Sequence, residues 1–228
     1  MTIGGARVGP VLLRWADAAS SDDHPAITAA EDGLAAVGVQ QVRRHASLDG
    51  LRARRFALGR HLLATLIGEL AGPEAEPEID TTCALCGADH GAPRAVSAPV
   101  ALSVSYAGSV VVAAAAPRAV IARLGVDVER RAGAAGEVQS GLAALFAPAA
   151  PPDLAGWTRI EAVLKADGRG VRIEPADVVG DARDAASARL SGGTWMRVPG
   201  VHDAFEVATV GGADAPEGCV VSLAVAWA

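Results

Sequence analysis

Three acidic residues and one lysine carry the most chemical information in this chain. Asp127 and Glu129 stand two residues apart, and Glu161 precedes Lys165 by four residues. Lysine and arginine together number 20, and Lys165 is the only lysine among them. An ammonium is a compact point charge that can approach a phosphate closely, whereas a guanidinium is a wide planar fork. The single lysine therefore marks position 165 as a candidate phosphate contact.

The spacing of these residues predicts that they share faces of their elements. Side chains two apart on a β-strand project to one face, so Asp127 and Glu129 point together while the intervening valine points to the core. Side chains four apart on a helix lie on one side, which groups Glu161 with Lys165. Three converging carboxylates form an all-oxygen site suited to Mg²⁺. An alternative stays open. Asp127 and Glu129 would then lie at an exposed strand end, and Glu161 and Lys165 would form a surface ion pair that stabilises the helix by only about 0.2 to 0.5 kcal/mol.

The elements that must position these residues follow from hydrophobic periodicity. Strands are predicted over 100–106, 110–116 and 120–128, as a meander of neighbours, and then over 171–173, 187–190, 195–198, 204–210 and 219–227. Helices are predicted over 47–71, 135–146 and 154–167, the first with Ser47 as N-cap and Gly72-Pro73 as its stop. The segment 72–94 is loop-like. This order favours an α+β fold with two comparable halves, 1–116 and 117–228.

Composition and charge limit the classes of function. The 228 residues can bury a substantial core without disulfides, and 51% of them are hydrophobic. A net charge of -6 argues against a nucleic-acid partner, because binding a phosphate backbone needs clustered basic charge. The three cysteines fit a reducing compartment, and no apolar run approaches about 20 residues. We therefore expect a cytoplasmic protein with no signal peptide and no membrane partner.

The two acidic motifs together resemble the paired signature of Sfp-type 4'-phosphopantetheinyl transferases. The resemblance is carried by Leu124-Gly-Val-Asp-Val-Glu129 and, about thirty residues later, by Trp157-x3-Glu161-Ala-x2-Lys165-Ala-x-Gly168. Weaker likenesses precede them in the family's order: a basic helix in Arg54-Arg-Phe56-x3-Arg60, a Gly-x-Pro turn in His90-Gly-Ala-Pro93 and a strand end in Ser103-Val-Ser105-Tyr-Ala. The resemblance covers roughly residues 40–170.

The resemblance implies an enzyme that transfers 4'-phosphopantetheine from coenzyme A to a serine of an acyl or peptidyl carrier protein, with Mg²⁺ as cofactor. It also implies two similar α+β halves related by a pseudo-two-fold axis, with the active site between them. By similarity, the metal ligands are Asp127, Glu129 and Glu161, and the catalytic residues are Glu161, as a base for the serine, and Lys165, beside the pyrophosphate. We expect Asp127→Ala to abolish turnover and leave the fold intact, because a metal-binding carboxylate contributes little to packing.

The coenzyme side of the site is also assigned by similarity. Its residues would be Arg55, Arg60, His90, Ser105 and Tyr106. Arg60, with Arg55 or Arg52 nearby, would bind the 3'-phosphate, since an arginine fork matches phosphate oxygens. Ser105 and Tyr106 would donate hydrogen bonds from their hydroxyls. The alternative for the arginines is a solvated helix face.

The chain departs from the family's pattern at three positions. Ala92 replaces the lysine of the Gly-Lys-Pro turn, Tyr106 a histidine, and Ile160 the lysine before the helical glutamate. Each change removes a potential phosphate contact, so a degenerate relative that binds coenzyme A or a carrier protein without efficient transfer stays an alternative. A third alternative is a different metal-dependent enzyme that cleaves phosphate with the same three acids. The pattern does not select a particular carrier, and we expect a monomer because two halves can form the cleft between them.

A second metal-binding pattern is Cys83-x2-Cys86-x3-His90, which offers three soft ligands at zinc spacing inside a loop. A fourth ligand, either Cys219 or an acidic residue, would have to come from elsewhere in the chain. The alternative is a small-residue turn with reduced thiols, in which His90 could face the nucleotide.

Overall fold

The computed structural model describes residues 3–19, 24–131 and 135–228, apart from the side chains of residues 24, 135–140 and 171. In the first half of the chain, two strand pairs join into one sheet, and helices pack against one face of it. The elements of this half are β1 (Gly4–Val8), β2 (Val11–Asp17), α1 (His24–Asp32), α2 (Val39–Ala46), α3 (Gly50–Ala71), β3 (Ile79–Asp80), β4 (Arg94–Ala95), β5 (Val100–Ala107) and β6 (Val110–Pro117). The second half has β7 (Ile121–Arg130), α4 (Ala135–Phe146), α5 (Leu154–Asp167), β8 (Val179–Gly180), β9 (Thr194–Arg197), β10 (Phe205–Val210) and β11 (Cys219–Trp227).

The long strands form two antiparallel sheets. The first has the order β1-β2-β6-β5 and the second the order β7-β11-β10-β9-β8. In the first sheet β6 lies between β2 and β5, and in the second sheet β11 lies between β7 and β10. In both cases the central strand is the last strand of its half of the chain, and its two neighbours are the first long strand and the strand just before it. A long helix, α3 or α5, follows the first strand in each case. The protein is therefore α+β, as the order of elements predicted, and both sheets share one connection pattern.

Three apolar clusters stack the elements as helices, sheet, sheet and helix. The first joins α1 and α3 to one face of the first sheet, with Leu62 and Val111 fully buried. The second lies between the sheets and includes Val112 and Val126. The third, around Val163, joins α5 to the outer face of the second sheet. β6 is apolar on both faces because it is covered from both sides, so its sequence shows no alternation.

The prediction of one meander over 100–128 is wrong for its third strand. β5 and β6 pair as a hairpin, from Val100 opposite Pro117 to Ala107 opposite Val110. β7 instead pairs with β11 along nearly its whole length. The chain thus leaves the first sheet after Pro117 and enters the second, which makes β5 and β7 neighbouring edge strands of different sheets.

Several other boundaries differ from the sequence-based expectation. Ser47 ends α2, where its hydroxyl donates to the carbonyl of Arg44, and α3 begins only at Gly50. The predicted strands at 171–173 and 187–190 are wrong, because the 3-10 turn Gly170–Arg172 covers most of the first, and the second begins at the end of the 3-10 turn Ala185–Ser187 and continues as irregular chain. The strands near 195, 204 and 219 and the helices over 135–146 and 154–167 are confirmed. In the described ranges, no helix has both the length and the apolar character needed to cross a bilayer.

Candidate active site

The four residues singled out above lie where α5 packs on β7. Asp127 and Glu129 belong to β7, and Glu161 and Lys165 to α5. The helix approaches the strand very closely, because a Cβ atom built on Gly125 would overlap the carbonyl oxygen of Ala162. Glycine is therefore required at position 125 for steric reasons, since it lets α5 bring its polar side chains to the strand.

Lys165 is bound by two groups from two different sheets. Its Nζ atom donates to Asp127 Oδ1 and to Ser105 Oγ, each over 2.7 Å. The Ser105 hydroxyl in turn donates to the same Asp127 oxygen over 2.9 Å. The Asp127 side chain is only 7% exposed and that of Lys165 is 32% exposed. The ammonium therefore neutralises a buried carboxylate, and the expectation that Asp127 contributes little to packing is wrong.

Two serines of β5 connect the edges of the sheets. Ser103 and Ser105 are two apart and face the second sheet, where their hydroxyl oxygens accept from the backbone N–H groups of Val126 (3.0 Å) and Val128 (3.4 Å). An edge strand leaves such N–H groups without a ladder partner. The serine hydroxyls satisfy them, so Ser105 both closes the sheet junction and holds Lys165 and Asp127 in place.

The three carboxylates are close enough to affect one another. Burial raises the pKa of Glu161, and the neighbouring Asp127 raises it further, while Lys165 opposes the shift. Burial and then Asp127 also raise the pKa of Glu129, against a hydrogen bond from the side chain of Trp157. One ammonium among three acidic groups leaves an excess of negative charge, which a divalent cation would relieve.

Asp127 also offers a free ligand atom. Its Oδ2 is buried and has no hydrogen-bond partner among the described residues. A buried carboxylate oxygen without a donor is costly, whereas a hard cation such as Mg²⁺ binds such oxygens. The donor set of Asp127, Glu129 and Glu161 therefore fits Mg²⁺. Among the described residues, the ligand atoms of these three acids are not all within 4.8 Å of one another, so binding one ion requires their side chains to draw together.

A basic and aromatic cavity of about 290 Å³ has Tyr106 in its wall. Its walls are Arg44, Leu48, Arg52, Arg55, Phe56 and Tyr106. The Arg55 guanidinium lies 5.6 Å from the centre of the Tyr106 ring and donates to the carbonyl of Gly108. Arg55 and Tyr106, both predicted from the sequence, thus meet at this cavity next to Ser105. Arg44 was missed because α2 was not predicted as a helix, although its last turn is basic.

Arg60 lies behind this cavity. It is 8% exposed, its Nε donates to Gln41 Oε1 over 2.7 Å, and its guanidinium stacks on Phe56. A terminal nitrogen also donates to the Tyr106 hydroxyl over 3.4 Å. Arg60 therefore supports Tyr106 and does not line the cavity.

His90 lies in the loop between β3 and β4, with its Nε2 3.0 Å from Cys86 Sγ. It does not line the arginine-rich cavity either. Cys219 is buried between the sheets, within the second apolar cluster. The sequence pattern of three soft ligands is therefore realised by Cys83, Cys86 and His90 alone among the described residues.

The apolar side of α5 explains one departure from the family pattern. Ile160 and Leu164 are each 6% exposed and belong to the third apolar cluster, with Trp157 packed against it. A lysine at position 160 would have to bury its ammonium in this cluster or reorient the helix.

Comparison with known proteins adds no relative. No family model matches the chain, and no curated protein matches it.

Proposed function

We propose that the protein is a Mg²⁺-dependent transferase that moves 4'-phosphopantetheine from coenzyme A to a serine of an acyl or peptidyl carrier protein. The observation that carries the proposal is the buried junction of Ser105, Asp127 and Lys165, in which Asp127 Oδ2 keeps a free ligand position. A site that joins an ammonium, three carboxylates and a basic cavity suits the cleavage of a pyrophosphate.

The proposal includes two similar halves, 1–116 and 117–228, related by a pseudo-two-fold axis, with the active site between them. Two observations support it. The strand orders β2-β6-β5 and β7-β11-β10 have the same connections, each with a long helix after the first strand. The site also draws residues from both halves, Ser105 from the first and Asp127 with Lys165 from the second.

On the metal side, Asp127, Glu129 and Glu161 would hold Mg²⁺. When bound, the ion supplies positive charge that offsets the negative charge of a pyrophosphate and of its departing phosphate. Asp127 is oriented for this task, because Lys165 and Ser105 occupy Oδ1 and leave Oδ2 to the ion.

The transfer step is a substitution at the phosphorus that carries the pantetheine arm. The serine oxygen of the carrier protein forms a bond to this phosphorus, and the bond from phosphorus to adenosine 3',5'-bisphosphate breaks. The serine proton passes to Glu161, directly or through water. The raised pKa of Glu161, caused by burial and by Asp127, makes this carboxylate a better proton acceptor. Lys165 stabilises the charge on the leaving bisphosphate.

On the coenzyme side, the cavity offers three cations and one aromatic ring. We assign the 3'-phosphate to Arg55 together with Arg52 and Arg44, which line the cavity. Tyr106 donates from its hydroxyl or packs against the nucleotide, and Arg60 donates a hydrogen bond to that hydroxyl. His90 stands outside this cavity, and the proposal gives it no coenzyme contact. The protein is proposed to act as a cytoplasmic monomer.

The experiment that tests the proposal is a transfer assay read by intact mass. Purified protein is incubated with coenzyme A, Mg²⁺ and apo carrier proteins from fatty-acid, polyketide and peptide synthesis. Transfer adds the mass of one phosphopantetheine to the carrier, and EDTA or a carrier with its serine replaced by alanine abolishes the gain.

The other outcomes select the alternatives. No mass gain on any carrier, despite measurable binding of coenzyme A, identifies a degenerate binding relative. Hydrolysis of coenzyme A without a carrier identifies a phosphate-cleaving enzyme that uses the same acids. Either result contradicts the transferase proposal.

A further inference from the structure

A second group of potential metal ligands lies in the loop between β3 and β4, apart from the three acids Asp127, Glu129 and Glu161. The ligand atoms of Cys83, Cys86 and His90 all lie within 4.8 Å of one another, and Cys86 Sγ is 3.0 Å from His90 Nε2. Tetrahedral Zn²⁺ with ligands at about 2.0 to 2.3 Å places those ligands about 3.5 to 3.8 Å from one another. The three side chains therefore need to move little to share one ion.

The backbone around the first two ligands forms a tight turn. Gly87 N–H donates to the carbonyl of Cys83 over 2.9 Å, and Gly87 adopts a φ of +72°, which favours glycine. The N–H of Cys83 donates to the carbonyl of Ala88 over 2.8 Å, so two backbone hydrogen bonds close the loop that carries both cysteines.

The third ligand is brought back over this turn by a second close approach. The N–H of His90 donates to the carbonyl of Ala88, and the N–H of Gly91 donates to the carbonyl of Thr81 over 2.7 Å. A Cβ atom on Gly91 would lie 2.8 Å from the carbonyl oxygen of Thr82, so only glycine fits there without a shift. The two glycines thus build the loop that places the imidazole beside the thiols.

We propose that Cys83, Cys86 and His90 bind one Zn²⁺ ion, with a water molecule as the fourth ligand. Two thiolates and an imidazole select Zn²⁺ over Mg²⁺, which prefers oxygen ligands. Cys86 and His90 are exposed, so solvent reaches the fourth position. Cys219 does not supply it, because its side chain is buried in the cluster between the sheets.

The zinc would fix the segment that supports the arginine-rich cavity. Thr81, two residues before Cys83, accepts at its hydroxyl from Gln41 Nε2, and Gln41 Oε1 accepts from Arg60. Arg60 contacts the hydroxyl of Tyr106 in turn. The ion therefore lies at one end of a chain of hydrogen bonds that leads to the cavity, which gives it a structural role independent of the transfer chemistry.

The test measures metal in the intact protein. The full chain is purified under reducing conditions without chelators, given a small excess of Zn²⁺, desalted and analysed by inductively coupled plasma mass spectrometry. We expect about one zinc per chain, and less than about 0.1 in the Cys83→Ser, Cys86→Ser double variant. The matched control Cys219→Ser should keep its zinc. Asp127→Asn should also keep it, because Asp127 lies on β7, outside the loop between β3 and β4.

Cobalt replacement of the zinc keeps the test decisive if the double variant does not fold. The wild-type protein with Co²⁺ should show the intense visible bands of tetrahedral cobalt and thiolate-to-cobalt charge transfer in the near ultraviolet. Zinc below about 0.1 per chain in reduced wild-type protein would overturn the site. Equal zinc in the double variant would also overturn the site. So would an intact mass of the wild-type protein, purified under reducing conditions, that is lower by two hydrogens, because this indicates a disulfide between Cys83 and Cys86.

Discussion

Ser105 donates a hydrogen bond to Asp127 over 2.9 Å, and this contact joins the edge strands of two separate sheets. The same hydroxyl accepts from Lys165 and from the backbone N–H of Val128. One side chain thus closes the sheet junction and orients the pair of charges on which the proposed chemistry depends. The position of the site follows from this junction, because neither sheet alone contains all of its groups.

Replacing the two junction serines should separate packing from chemistry. Ser105→Ala and Ser103→Ala each remove one acceptor for a β7 backbone N–H, so each should lower the free energy of unfolding by about 1 kcal/mol. Only Ser105 contacts Asp127 and Lys165, so only Ser105→Ala should slow transfer. Urea unfolding and the intact-mass assay measure the two effects. Equal rates in both variants would remove Ser105 from the site.

Glu161→Gln should stabilise the metal-free protein while it abolishes transfer. Burial and Asp127 raise the pKa of Glu161, so its ionised form costs stability at neutral pH. For an acid with a raised native pKa, this cost is absent at low pH, grows as pH rises from its ordinary value of 4.5 to the native pKa, and is constant above that. In EDTA, the urea midpoint of the variant should exceed that of wild type at pH 7, by a margin that shrinks towards pH 4.5. A variant less stable at pH 7 would contradict this electrostatic reasoning.

Gly125→Ala should disturb the contact of α5 with β7. The added Cβ would meet backbone atoms of Ala162 and Ala166, which cannot rotate away, so the helix must shift. Overpacking of this kind costs about 1 to 3 kcal/mol of folding stability, and the shift should reduce transfer because it moves Glu161. Gly68→Ala, on α3 with nothing near its Cβ position, is the matched control and should be neutral or stabilising by up to about 1 kcal/mol. Thermal unfolding compares the two, and an equally stable Gly125→Ala protein would refute the close approach.

Arg55→Ala should weaken recognition of the 3'-phosphate. We expect KM for coenzyme A to rise about tenfold, whereas KM for dephospho-coenzyme A, which lacks that phosphate, should change little. Arg118→Ala, in the separate cavity lined by Asp80 and Arg94, is the control for loss of a surface cation. If Arg55→Ala raises both KM values equally, the arginine contacts another part of the coenzyme.

Much of the second half could be predicted from the sequence, because its signals are local. The helix over 154–167 has an acceptor at Asp153, an apolar stripe and a left-handed Gly168 that ends it, and all of these depend on neighbouring residues. Strand and helix periodicity likewise predicted that Asp127 shares a face with Glu129 and that Glu161 shares one with Lys165, whereas the contact of Lys165 with Asp127 depends on how α5 packs on β7. The strand predictions that failed, at 171–173 (Val-Arg-Ile) and 187–190 (Ser-Ala-Arg-Leu), cover only three and four residues, and periodicity carries little information over so short a segment.

The role of Ser105 could not be predicted, because it depends on which strands become edges. β7 follows β6 closely in the chain, but it pairs with the distant strand β11, with Asp127 opposite Ser222. This long-range pairing places β7 in the second sheet. The burial of Arg60 is a similar case. Its partner Gln41 lies on α2, a short helix whose apolar residues Val39 and Val42 are exposed, so the apolar positions of this helix do not point to Gln41 as its buried residue.

Binding of Mn²⁺, a paramagnetic substitute for Mg²⁺, tests the central claim most directly. Electron paramagnetic resonance of the protein with coenzyme A should show about one bound Mn²⁺ per chain. Asp127→Asn should weaken this binding at least about tenfold, because it removes the charge of the carboxylate whose Oδ2 is free, while Asp214→Asn, on an exposed 3-10 turn, should not. Circular dichroism confirms that the variants are folded. Unchanged Mn²⁺ affinity in folded Asp127→Asn would contradict the proposal that these acids hold the metal.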